Sequence, residues 1–175
     1  HQSLLISALW PDGRGNVGYG SNIGSNHTGK APDQEIYIGE GLFFGLSSIA
    51  KFPINFFNAP YSIIATGVSL PPQKMDLPFS LINNASGNNE NNPENLNEIF
   101  PAWVLSQNLY SVIRNEKKYL SRNKARRSQF DFRIFRPEII NQMQNARKAL
   151  QNYDKGTLFH TAKDLPALGK NYAHR

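Results

Sequence analysis

The residues best suited to chemistry lie in one short stretch that holds Asn26, His27, Asp33 and Glu35. An imidazole titrates near pH 6.5, roughly where a general base must sit to take a proton at neutral pH. His27 is flanked by Ser25, Asn26 and Thr28, and the carboxylates of Asp33 and Glu35 follow closely enough to orient its ring. This is the one place in the chain where a titratable base, two carboxylates and an amide lie beside glycine-rich backbone. The competing reading is structural: His27 turns a corner and bonds a neighbouring part of the chain. Spacing alone fixes no partner for it.

Other chemistry is excluded or weakly signalled. The absence of cysteine removes thiolate nucleophiles, disulfides and every cysteine-based metal site, which leaves His, Asp and Glu as the plausible metal ligands, and no metal is expected. Gly13, Gly15, Gly18 and Gly20 could mimic a phosphate loop, but no Gly-Lys-Ser/Thr follows, and they read as corner glycines. His1, His160 and His174 have no context that assigns them a role.

The elements that must position these groups have a period of six. Val17-Gly18 opens one unit and Ile23-Gly24 the next. After the polar break at residues 30–35 the period resumes with Ile38, Phe44, Ala50, Phe56, Ser62 and Val68 as openers. Six residues are too few for a helix-turn unit, whereas three such units make one triangular coil of a parallel β-helix. Ile23, Ile38, Leu42, Phe44, Ile54, Phe56 and Val68 are then expected to point inward. The break expels a polar loop from the wall, and solenoids commonly place such insertions on a binding face.

These repeats resemble the hexapeptide-repeat superfamily of left-handed β-helices. Residues 25–35, Tyr61-Ser62-Ile63-Ile64-Ala65-Thr66-Gly67 and Gly169-Lys170-Asn171-Tyr172 look more specifically like an uncharacterised family of long bacterial hexapeptide-repeat proteins. The resemblance implies a mainly β fold, a left-handed parallel β-helix followed by a helical C-terminal extension. It also implies what His27 would do: in the acyltransferases of this superfamily a histidine beside an extruded loop deprotonates the acceptor. The expected reaction is acyl-CoA-dependent transfer to a hydroxyl or amine of a sugar or sugar nucleotide, in a homo-oligomer, a trimer by analogy. The alternative is a non-enzymatic scaffold or binding β-helix attached to a sugar nucleotidyltransferase-type protein. The signature of such an enzyme is too short in Asp12-Gly13-Arg14-Gly15 to carry that assignment.

Three segments are expected: β-helix coils over 1–82, an Asn-rich linker over 83–97, and a helical extension with an irregular tail over 98–175. In the extension, Ile99, Trp103, Leu109, Ile113 and Leu120 are spaced for an amphipathic helix capped by Asn97, with Pro101 in its first turn. Phe130, Phe132 and Ile134 read as extended, and Pro137 opens a second helix with Ile139, Met143, Ala146 and Leu150 on its apolar face. The 175 residues carry a net charge of +6, split as four Lys/Arg against six Asp/Glu over 1–90 and fifteen against seven over 91–175. The basic run Lys117, Lys118, Arg122, Lys124, Arg126 and Arg127 reads as a solvated helix face, with phosphates of a coenzyme or of nucleic acid as the other options. Nucleic acid is not the expected partner. No apolar stretch is long enough to span a bilayer and no secretory leader is visible, so no membrane contact and a cytoplasmic location are expected. The first residue is His1 rather than Met, from which a piece of a longer β-helix is expected.

Overall fold

The structure is a computed structural model that describes residues 2–25, 36–51, 53–85, 96–151 and 165–168. Short strands visit three sheets in turn. A first coil holds β1 (Leu4–Leu5), β2 (Ala8–Leu9) and β3 (Asn16–Val17). The second holds β4 (Asn22–Ser25), β5 (Ile36–Ile38) and β6 (Phe43–Phe44). The third holds β7 (Ile49–Lys51), β8 (Ile54–Phe56) and β9 (Ile63–Ile64), and the fourth β10 (Ser69–Leu70), β11 (Gln73–Lys74) and β12 (Leu81–Asn84). The sheets run β1-β4-β7-β10, β2-β5-β8-β11 and β3-β6-β9-β12, all parallel, and β13 (Asn97–Phe100) closes the third as an antiparallel edge. The protein is therefore mainly β, a stack of three-sided parallel coils.

The interior explains the period. Ile23, Ile38, Leu42, Phe44, Ile54, Phe56 and Val68 are all buried, as their spacing predicts. Leu4 pairs with Asn22 and Ile63 with Leu81, steps of 18 residues, or three units of six per coil. The period is not strict: Phe43 pairs with Ile63, a step of 20, so Phe44 is followed in its column by Ile64 rather than Ser62. Ser62 nevertheless stays buried, because its hydroxyl donates to the Leu77 carbonyl at 3.3 Å and accepts from the Ser80 N–H at 3.0 Å. Ser21 and Ser48 are satisfied in the same manner, through the Gly45 carbonyl and each other. Small hydroxyls can enter this interior because each meets a partner.

The two ends differ. At the far end Asn97 accepts from the Gln73 side chain and donates to the Ser69 carbonyl, while the Asp76 N–H reaches the Ala167 carbonyl in the short 3-10 helix Pro166–Leu168. At the near end β1, β2 and β3 are the outermost strands of their sheets, and Leu4, Leu5 and Leu9 are exposed.

The extension departs from expectation at its start. Residues 97–100 are strand, not helix: Ile82 faces Ile99 and Asn84 faces Asn97. The open edge of β12 offers a row of backbone partners, which outweighs the helical spacing of Ile99 and Trp103. The helical segment then divides at Asn108 into α1 (Trp103–Gln107) and α2 (Leu109–Arg122). Val112 is the buried residue of α2, and Leu109, Ile113 and Leu120 are exposed. Residues 123–136 are irregular, and α3 (Pro137–Gln151) buries Ile139 and Ala146.

Candidate functional site

The sequence-derived candidates Asn26, His27, Asp33 and Glu35 lie outside the described residues. Their point of attachment is defined. β4 ends at Ser25 and β5 starts at Ile36. Asn22 pairs with Ile49, a step of 27 where a plain coil needs 18, yet Ile23 stays paired with Ala50 and Ile36 with Ile54. The strands on either side of residues 26–35 thus keep their places in the stack, with a register shift between Ile23 and Ser25.

A second polar centre was not foreseen from sequence. It forms at the corner between the second and third sheets, where backbone bonds link the coils in a ladder. The Gly41 N–H donates to the Gly13 carbonyl, Tyr61 to Glu40, Phe79 to Pro60 and Val104 to Phe79. Arg14, Gly41, Tyr61, Phe79 and Ala102 all have φ between 55° and 68°. For a residue with a Cβ that conformation costs roughly 1 kcal/mol, so the surrounding structure must hold it. Gly41 is required twice over, since a Cβ there would fall 2.3 Å from atoms of the Tyr61 ring.

Glu40 is the charged residue at the centre of this corner, 4% exposed. One oxygen lies 3.2 Å from Arg14 Nη1 and accepts from Arg136 Nη1 at 3.1 Å; the other pairs with Arg136 Nη2. The Tyr61 hydroxyl also donates to it. Burial, then the Glu40 carboxylate, pushes the Tyr61 phenol above its usual range, and the bonds that Arg136 donates to Glu40 raise its guanidinium. Every strong donor around the carboxylate is engaged, which is what a buried charge requires.

The cluster ties the coil wall to the extension. Arg136 precedes α3 and also donates to the Arg133 carbonyl at 2.6 Å. Arg14 donates to the Asp131 carbonyl and lies 5.1 Å over the ring of Tyr119 in α2. Phe79 stacks on Tyr61 at 5.5 Å and on Phe135 at 5.8 Å. Around them Val104, Val112, Ile134 and Ile139 form a second apolar core. Glu116 accepts from the Ile134 N–H at 2.6 Å and fixes the irregular segment against α2. Sequence did carry one signal: Glu40 is the single charged residue between Ile36 and Ala50. Its partners, up to 96 residues away, gave none.

An apolar groove of about 460 Å³ lies between the last coil, α1 and α3. Leu77, Leu105, Ile140, Met143 and Leu150 line it, with Arg147 also on the wall.

An uncharacterised protein of Treponema pallidum (strain Nichols) is 35% identical over 155 residues, which cover 87% of this chain and 20% of that protein. The chain thus spans about a fifth of the length of this relative. No family model and no solved structure matches the chain.

The raised Tyr61 phenol makes stability fall in alkali. Below the usual value of 10.0 both states are protonated and the contribution is complete; above it the unfolded chain ionises first and stability declines until the folded phenol also ionises. By pH 11 the wild type should have lost about 1.4 kcal/mol more than Tyr61→Phe, relative to pH 9. Urea unfolding at the two pH values measures it, and equal losses would remove Tyr61 as the cause.

Proposed function

We propose that this chain is a non-catalytic scaffold module, a β-helical wall whose corner holds a helical extension in fixed position. The observation that carries this reading is the Glu40 cluster: a buried carboxylate surrounded by Arg14, Arg136 and Tyr61, with Arg136 on Glu40 and Arg14 on the Asp131 carbonyl joining wall to extension. A buried carboxylate paired with two guanidiniums and a phenol in this manner holds a structure together. We further infer that the coil is the left-handed hexapeptide type. Its support is the six-residue period together with coil steps of 18 residues.

Acyl transfer is the second reading, favoured by the ten-residue interval between the end of β4 at Ser25 and the start of β5 at Ile36, on either side of which the strands keep their pairing. In this reading His27 is the general base, Asn26, Asp33 and Glu35 orient it or the acceptor, and acyl-CoA lies along a coil flank of a trimer. A thermal-shift titration with acetyl-CoA separates the two. The scaffold reading expects no shift; the acyltransferase reading expects about 2.7 kcal/mol of added stability at one hundred times Kd. If turnover is then found, His27→Ala should abolish it and leave the melting temperature within a few degrees. A structural corner histidine would instead lose about 1 kcal/mol of stability with ligand binding intact.

A further inference from the structure

Helix α2 is anchored on one side only. Val112 is buried, Tyr119 meets Phe130 edge-on at 6.3 Å and Arg14 from above, and Glu116 holds the Ile134 N–H. Next to that side, Leu109, Ile113 and Leu120 fall on one stripe of the helix, four and seven residues apart, and all three are exposed, Leu120 by 58%. Tyr110 stands beside them, 74% exposed. The opposite flank is cationic. Arg114, Lys117, Lys118 and Arg122 on the helix and Lys124, Arg126 and Arg127 in the segment after it are all exposed. Glu116 is the single acid between Leu109 and Phe130, and its carboxylate is already bonded.

We propose that α2 and the basic segment 123–127 form a peripheral contact with an anionic lipid bilayer. The stripe Leu109, Ile113 and Leu120 enters the headgroup boundary, Tyr110 sits at the interface, and the cations meet the lipid phosphates. An exposed apolar stripe alone does not name its partner; the seven cations beside it select an anionic one. They also argue against a second copy of this chain, because a two-fold contact through α2 would bring the same positive patches together. Nucleic acid would satisfy the cations and could stack on Tyr110, but would leave the aliphatic stripe in water, whereas acyl chains cover it. No helix among the described residues is long and apolar enough to cross a membrane, so the contact lies on the surface. The sequence-based expectation of no membrane contact rested on the lack of a span, which a surface helix does not need.

Co-sedimentation of the 175-residue chain with vesicles tests this. Vesicles of phosphatidylcholine with one-third phosphatidylglycerol should bind it at least about tenfold better than phosphatidylcholine alone, and the difference should shrink as salt rises. Leu120→Asp should reduce binding about tenfold with an unchanged melting temperature, since the side chain is exposed, and the pair Lys117→Glu with Lys118→Glu should do the same through charge. Equal partition into neutral vesicles, no partition into either, or full binding by Leu120→Asp would overturn the proposal. So would single-stranded RNA binding that survives Leu120→Asp while vesicles are left unbound.

Discussion

Replacing Glu40 by Gln should lower the stability of the protein by about 3–5 kcal/mol, the range found when one partner of a buried ion pair is removed. For a chain of this size that is a fall in melting temperature on the order of 10 °C. The amide keeps the shape of the side chain but withdraws the charge that Arg14 and Arg136 face, leaving two guanidiniums close together in a largely dry corner. The loss should be salt-insensitive, since the group is only 4% exposed. Thermal unfolding at low and high salt checks both points. A fall of under 1 kcal/mol would place the pair among ordinary surface contacts.

The second large effect concerns the wall. Ile38→Asn should cost several kcal/mol, because Ile38 is almost wholly buried on β5 between the coils and an asparagine there loses apolar burial and brings an amide with no designed partner. The serines show the contrast: Ser48 and Ser62 sit equally deep but reach a hydroxyl or a carbonyl. Ile38→Val should cost only about 1 kcal/mol, so urea unfolding of the two variants separates burial from general sensitivity of the site. Similar values for Asn and Val would mean that Ile38 does not face the interior.

The interior was legible in the sequence because the coil repeats every three units of six. An inward residue such as Ile38 or Phe56 therefore announces itself by spacing. The two-residue surplus that seats Ile64 under Phe44 was not legible, since Ser62 occupies the regular place and nothing local marks the slip. At the end of the stack, Asn97–Phe100 were misread because helical spacing is a local signal, whereas the demand of the β12 edge for a partner is visible only once β12 is placed. Of the candidate site, the sequence shows a break at residues 30–35, and the described strands flanking it end at Ser25 and resume at Ile36. The Glu40 cluster depends on a corner that stacks Gly13, Glu40 and Pro60 from successive coils and then receives Arg136 from beyond the helices. No window of sequence contains those four residues together. The lone carboxylate in an apolar segment was the clue, and its counter-charge had to be found in space.

The buried charge at this corner joins the extension to the coil wall, and a double-mutant cycle between Glu40→Gln and Arg136→Met measures that link directly. The two losses should be strongly non-additive, with a coupling above about 1.5 kcal/mol, because each change leaves the other partner unpaired and the double change removes both charges of the pair. Losses that add to within about 0.5 kcal/mol would show that Glu40 and Arg136 act independently, and would contradict it.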